Sequence, residues 1–480
     1  MKKIGFALLL ICALPAKADR AADLDRVAKA YHAIGQLDGS VLVADQGKVV
    51  YHRAFGLANR EWNIPHGTDT AFRVASLTKQ FTATMIMQLA EQGKLRLDDP
   101  IGKYVPELNA DTGKRVTLHQ LLNHTSGIVD YANFPGFWAK RLGEKVPKED
   151  FLAIMNRPLE FEPGSQGHYS SSNYTLLGWV IEKQTGKPFG AALDEMVLRP
   201  RGMDRTAYDA PDRIIPRKAS GYVRALGGYQ PAAPLWIPNI GAGGGVVSTT
   251  GDFFKLDRAL AGTALLKPES KKLMFTSYIN DDVWGDLGYG YGWLIGTRTI
   301  AGKPRLVHEH GGNGNGFRTL VTRYPEEGKL VVIFLNEGNG NKGPEIYRMR
   351  SDFTDTLYGK RVALPKPALH DLLATEIRNA GDQAGLARFD ALLAQSGKPA
   401  DGNGLNRLAY QYADAGRAAT GIAILKRSTA LFPQDGNLYD SLGELLLLSG
   451  DKGSAAAAYR RALELDPSNA NARDMLQKIN

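Results

Sequence analysis

The run Ser76-Leu77-Thr78-Lys79 opens a stretch, Phe72 to Gln92, that leaves the chain few choices. Phe81, Met85 and Leu89 fall at four-residue steps with Ala83 and Ile86 beside them, the spacing of a helix buried by its apolar side. Gly93 follows where a helix C-terminus favours a left-handed residue. Ser76 occupies an N-cap or first-turn position, and Lys79, three residues on, projects from the same face one turn later. A hydroxyl and an amine are thereby held together at the positive end of a buried helix. A serine hydroxyl is a weak nucleophile until a neighbour removes its proton. A free lysine titrates near 10.4, whereas a useful base at neutral pH needs roughly 7 to 8. Closing that gap costs about 4 kcal/mol, which desolvation and a helix dipole can supply. The four-residue pattern is cheap by itself, because Ser449-Gly450-Asp451-Lys452 matches it too, in what reads as a helical-repeat turn.

The chain begins MKKIGFALLLICALPAKA, with Lys2 and Lys3, an apolar run from Ile4 to Leu14 and the small-residue site Ala16-Lys17-Ala18. Those are the marks of a secretory signal cleaved after Ala18, so the mature protein is expected to be periplasmic or secreted. The apolar run is too short to span a bilayer, and no later segment reads as a transmembrane helix. Cys12 is the only cysteine, so the mature chain has no disulfide, and cysteine nucleophiles and thiolate metal sites are excluded. The formal charge of +9 falls to +6 once Lys2, Lys3 and Lys17 leave. Its basic residues are scattered without aromatic interleaving, which argues against a nucleic-acid partner.

Ser40 to Ala44 and Lys48 to Phe55 alternate as strands around the turn Asp45-Gln46-Gly47, so an antiparallel sheet opens the domain before the Ser76 helix packs on it. Leu121 to Gly127 ends a short helix, and His124 beside Thr125-Ser126-Gly127 reads as a structural hydrogen bonder. Tyr169 lies on a polar loop just before the apolar helix Leu176 to Ile181, where a phenol can reach into a cleft. Gly241 to Gly245 reads as a close backbone approach, followed by a helix from near Asp252. Tyr289 to Trp293 is expected as a strand, and Leu306 to Gly316 as a glycine-rich strand edge lining a substrate channel. His308 and His310 point the same way, but no third ligand accompanies them, so neither metal nor cofactor is expected. Leu330 to Leu335 closes the sheet, and Glu345 to Tyr358 is a final helix.

Ser76-Leu-Thr-Lys79, Leu121 to Gly127, Phe161 to Gly178, Tyr289 to Trp293 and His310-Gly-Gly312 stand in the order and spacing of the class C β-lactamase-like serine hydrolases, and residues 30 to 360 resemble that family. Its members include β-lactamases, D-alanyl-D-alanine carboxypeptidases, D-aminopeptidases and esterases; the handful of residues Ser-x-x-Lys is shared with penicillin-recognising enzymes. The resemblance implies an α+β fold, an antiparallel sheet flanked by helices. It implies that Ser76 is acylated, that Lys79 and Tyr169 share the proton transfers, and that the backbone N–H groups of Ser76 and Asn313 form an oxyanion hole. His310 and Gly312 would line the cleft, His310 standing where some relatives have Lys. One departure matters: the family's loop reads Tyr-x-Asn, and the third position here is Ser171, which lacks an amide's paired donor and acceptor. The expected substrate is a small molecule or peptide bearing an ester, a peptide bond or a β-lactam-type amide, with esters and peptides favoured over β-lactams. The alternative is a catalytically silent ligand-capture protein that signals through its C-terminal region.

After a linker at 363–370 the composition becomes helical and alanine-rich. Pro399, Pro433 and Pro467 are spaced 34 residues apart, and Gly416 with Gly450, and Leu425 with Tyr459, keep that period. The domains read as a signal peptide at 1–18, a hydrolase domain at 19–362 and tetratricopeptide repeats at 371–480, an all-α array whose concave face suits a protein or peptide partner. If Ser76 is the sole nucleophile, a fluorophosphonate should add one adduct to the mature protein, read by intact mass, and Ser76→Ala should abolish it. An adduct that survives the substitution, or that maps to Ser449, contradicts the assignment.

Overall fold

The computed structural model describes residues 20–138, 143–280, 286–338, 345–396 and 400–479. The expected export segment 1–18 and Pro399 lie outside the described residues. The described chain divides into two compact units, residues 1–221 with 232–364, and residues 222–231 with 365–480.

The first unit is built on an eight-stranded sheet. In chain order its strands are β1 (Gly39–Asp45), β2 (Lys48–Phe55), β3 (Ile279–Asn280), β4 (Leu287–Tyr289), β5 (Leu294–Ile300), β6 (Lys303–Gly314), β7 (Phe317–Tyr324) and β8 (Lys329–Leu335). Their order across the sheet is β3-β4-β5-β6-β7-β8-β1-β2, with every neighbouring pair antiparallel. The β1–β2 hairpin forms as its sequence predicts. Rather than closing an edge, β8 lies inside the sheet and joins the N-terminal hairpin to the later strands, pairing Gly39 with Leu335 and Ala44 with Leu330.

Both faces of the central strands are covered, which is why they read as near-continuous apolar runs. Side chains alternate across a strand. Val41, Val43, Val331 and Ile333 pack with Leu24, Val27 and Tyr31 of helix α1 (Arg20–Ala33) and with Met349 and Phe353 of the helix Glu345–Leu357. Leu42, Ala44, Val332 and Phe334 point the other way, into the larger core that holds Phe81, Met85 and Leu89 of helix α2 (Thr78–Glu91). The four-residue apolar steps of α2 are thus the stripe it presents to that core. The helix ends as expected, with Gly93 at φ 69°.

One expectation changes here and one holds. Tyr289–Trp293 is not one strand: β4 ends at Tyr289, the chain turns through Gly292 at φ 75°, and β5 begins at Leu294. A period-two pattern of aromatics and glycines looks like a strand, but the left-handed glycine bends it. The glycine-rich segment does form a strand edge: β5 pairs with β6 only over residues 303–309, so His310 to Gly314 are paired on the β7 side alone, and Asn313 and Gly314 line a cavity.

The second unit is helical apart from a hairpin, Tyr222–Ala225 with Gly228–Pro231, which falls within the expected hydrolase domain 19–362 but clusters with this unit instead. Its first long helix starts at Leu369, inside the expected linker. Two helix pairs follow, Gly402–Asp414 with Ala418–Leu431 and Gly436–Leu448 with Lys452–Leu465. Gly416 and Gly450 make equivalent left-handed turns inside the pairs, and Leu405, Tyr412, Leu425, Leu445 and Tyr459 share one core. No helix among the described residues is long and apolar enough to cross a membrane.

Candidate active site

Ser76 sits in a single 3-10 turn, Ala75–Leu77, that feeds directly into α2. It is not an N-cap, since neither cap position makes a side-chain capping bond, and the hydroxyl is left available to a neighbour. That neighbour is Lys79, whose Nζ stands 3.2 Å from Ser76 Oγ and donates to the Gly243 carbonyl at 2.8 Å. Gly243 belongs to the short helix Gly241–Gly244, whose backbone reaches this amine through a carbonyl; a Cβ on Gly243 would meet only ordinary contacts, 3.6 Å from Tyr174 Cβ and 3.7 Å from Lys79 Nζ. Lys79 is 1% exposed. Burial pushes its ammonium down to about 7, partly opposed by the negative charge of Asp130. Its neutral form is therefore accessible near neutral pH.

Tyr169 precedes the helix α3 (Ser171–Thr185) by two residues, and Lys79 Nζ lies 4.8 Å from its ring centroid. Burial holds the phenol above its usual range, with a hydrogen bond involving the Ser76 side chain pulling the other way. His124 behaves as the structural hydrogen bonder expected of it. Its Nδ1 accepts from the Ser170 N–H and from Asn173 Nδ2, each at 3.2 Å, so the ring carries its proton on Nε2. Its ring centroid is 4.4 Å from that of Tyr169. Burial holds His124 neutral, its pKa well below the ordinary histidine value. Ala75 at φ 47° and His124 at φ 63° both hold left-handed conformations, which cost a non-glycine residue roughly 1 to 2 kcal/mol. Strain on either side of the site marks it as over-determined by its surroundings.

A cavity of about 380 Å³ opens over Ser76 and Lys79, within the range typical of small-molecule sites. Ser171 and Asn313 line it as expected, together with Tyr131, Trp138, Leu235 and Ile240. Tyr131 is held by its hydroxyl, which donates to the Asn239 carbonyl at 3.1 Å, and Trp138 Nε1 donates to Ala132 O at 3.0 Å.

His310 and Gly312 are placed differently. His310 is buried at 4% exposure, its Nε2 3.0 Å from the Tyr289 hydroxyl and its ring centroid 6.2 Å from that of Tyr169. Burial, reinforced by the nearby charge of Lys79, lowers its pKa to about 3, so it is a neutral wall behind Tyr169. A Cβ on Gly312 would stand 2.1 Å from the Val74 carbonyl oxygen and 2.3 Å from Thr319 Oγ1. That same hydroxyl donates to Val74 O at 2.9 Å. Gly312 is thus a close-approach residue that lets β6 lie against the nucleophile's turn.

Sequence reasoning missed Asp130. It is 5% exposed, and one carboxylate oxygen accepts the backbone N–H groups of Ser171 (2.9 Å), Ala132 (3.2 Å) and Ser172 (3.4 Å). A single acid in a loop carries no periodic or motif signal. The Ser126–Asn173 bond, Oγ to Oδ1 at 2.6 Å, was missed for the same reason.

A serine, a buried lysine and a half-buried tyrosine meet at a helix start beside the end of an antiparallel strand, an arrangement of groups suited to acyl transfer. The chain belongs to the Beta-lactamase family, whose model matches residues 24–352. It is 31% identical over 319 residues to penicillin-binding protein 4* of Bacillus subtilis (strain 168), covering 63% of this chain and 68% of that protein. Over a shorter span of 189 residues it is 38% identical to esterase EstB of Burkholderia gladioli, covering 35% of this chain and 46% of the esterase. The crystal structure of a penicillin binding protein from Bacillus halodurans superposes with a TM-score of 0.59 at 28% identity, over 69% of this chain and 97% of that one.

Gly312→Ala tests the close approach. It should lower kcat/KM for an aryl ester by about 100-fold, because displacing the turn by an ångström misplaces the nucleophile. Overpacking there should also destabilise the chain by about 1 to 3 kcal/mol in thermal melts. Wild-type turnover in the variant contradicts the reading.

Proposed function

We propose that the protein is an exported serine hydrolase that cleaves carboxylic esters of apolar acyl groups through an acyl-enzyme on Ser76. The observation that carries this is the buried Lys79 amine, 3.2 Å from Ser76 Oγ, fixed by the Gly243 carbonyl and depressed to about 7. In its neutral form Lys79 takes the hydroxyl proton as Oγ attacks the carbonyl carbon. The tetrahedral oxyanion is met by the backbone N–H groups of Ser76 and Asn313, a contribution of roughly 3 kcal/mol per donor. The C–O bond to the alcohol then breaks, and the leaving oxygen takes a proton relayed from Lys79 through the Tyr169 hydroxyl. Water reverses the sequence and frees the acid. Tyr169 serves here as a neutral relay, since burial raises its pKa while it lowers that of Lys79.

The substrate class follows from the lining. Tyr131, Trp138, Leu235 and Ile240 offer an apolar wall to an acyl chain. His310, neutral and buried, offers no charge to a substrate carboxylate. Ser171 offers one hydroxyl where a β-lactam side-chain amide would want a donor and an acceptor. The names of two relatives, a penicillin-binding protein and an esterase, mark the range within which this choice falls. In the second unit, helix pairs that start 34 residues apart, at Gly402 and Gly436, support reading it as tetratricopeptide repeats that take a peptide or protein partner. Residues 1–18 are read as the signal that exports the chain.

The test compares an aryl butyrate with a cephalosporin. A missing buried hydrogen-bond partner costs about 1 to 3 kcal/mol, or roughly 5- to 150-fold. The ester should therefore be turned over more efficiently, and Ser171→Asn should raise β-lactam turnover more than ester turnover. A wild-type preference for the cephalosporin, unchanged by Ser171→Asn, rejects the proposal.

A further inference from the structure

The polar contacts around the site converge on a residue that does not touch the cavity's reacting atoms. Asp130 lies in the loop between Gly127 and Tyr131, facing the first turn of α3. Helix α3 begins at Ser171, and its N-cap, Ser170, makes no side-chain capping bond. The orphan N–H groups of that first turn are met by the Asp130 carboxylate instead, at Ser171 and Ser172. The carboxylate's own loop is pinned in the same way, through the Ala132 N–H at 3.2 Å and Asn133 Nδ2 at 2.9 Å. Ser172 Oγ completes the join, donating to Val129 O at 2.8 Å and accepting from the Tyr131 N–H at 3.0 Å. On the other side, His124 holds the Ser170 N–H and the Asn173 side chain. Tyr169 is therefore one residue outside a segment whose backbone is gripped from two directions.

We propose that Asp130 is a positioning residue for the reaction: a single buried carboxylate caps α3 from across the site, fixing the Tyr169 loop, and its negative charge acts on Lys79. Burial raises the pKa of Asp130, and the N–H groups of Ala132, Ser171 and Ser172, with the charge of Lys79, oppose that and favour its carboxylate form. The groups facing Lys79 are Ser76, the Gly243 carbonyl, the rings of Tyr169 and Tyr174, the neutral His124 and His310, and Asp130. Of these Asp130 is the one whose charge raises the amine's affinity for a proton. It thus keeps Lys79 from falling so low that it could no longer hold the proton it takes from Ser76. A cap with no part in the chemistry would stabilise α3 and leave the amine alone.

The inference rests on the acyl-transfer reading, and the experiment separates the two. Fluorophosphonate labelling rates and kcat/KM for an aryl butyrate are measured against pH for the full chain and for Asp130→Asn, Asp130→Glu and Asp130→Ala. Asp130→Asn keeps an oxygen for the Ser171 N–H but removes the charge. Its acidic limb should move down by about 0.5 to 1 pH unit. One unit below the wild-type midpoint, its rate relative to its own plateau should then rise about 3- to 5-fold. Asp130→Glu keeps the charge, so its limb should stay at the wild-type midpoint while a misplaced carboxylate lowers the plateau. Asp130→Ala should lower the plateau further and show the same downward limb; if it fails to fold, the other two variants decide. A limb unmoved or moved upward in Asp130→Asn overturns the role of Asp130, whatever happens to the plateau. Absence of Ser76 labelling in the wild type overturns the acyl-transfer reading instead.

Discussion

The buried amine of Lys79 is the constraint on which the rest of the site depends. Moving a lysine from its ordinary 10.5 to about 7 corresponds to about 5 kcal/mol of protonation free energy. Desolvation supplies it, so the lysine must be kept dry. That requirement explains why α2 is enclosed by the largest core, and why Gly312 must let β6 press on the turn before it. It has a consequence for stability as well. Between about 7 and the unfolded value near 10.4, the unfolded chain binds more protons at this position than the folded chain. Stability from this group therefore rises with pH across that window, and below about 7 the full penalty of burying the charge is present.

Polar satisfaction around the amine is arranged by backbone more than by side chains. The Gly243 carbonyl holds Nζ, while the N–H groups of Ser170, Ser171 and Ser172 are held by His124 and Asp130. Tyr169 gains its place from that frame, and its relation to Ser76 follows from where α3 begins.

Much of this was legible in the sequence. The four-residue apolar steps after Lys79, the β1–β2 hairpin around Gln46-Gly47 and the glycine ending α2 each obey a local rule, and local rules can be read from one chain. So can the 34-residue recurrence of Gly416 and Gly450. What failed to show has a common cause. The glycines at 241–245 announce a close backbone approach but not its target, because Gly243 contributes through its carbonyl, which any residue type possesses. Asp130 acts across 41 residues on the N–H of Ser171, with no spacing to announce it. The neutrality of His310 is equally non-local, since burial and the Lys79 charge are what lower its pKa. Tyr289–Trp293 misled because a left-handed glycine inside an aromatic run leaves the same letter pattern as a strand. The interior place of β8 is a matter of long-range pairing and cannot be seen locally.

The central claim is that burial turns Lys79 into a base at neutral pH, and its titration tests that most directly. The full chain is labelled with ¹³Cε-lysine, and the Lys79 resonance, assigned by its loss in Lys79→Arg, is followed against pH. A midpoint near 7 is the result this structure predicts. A midpoint near the ordinary lysine value of about 10.4 would contradict it.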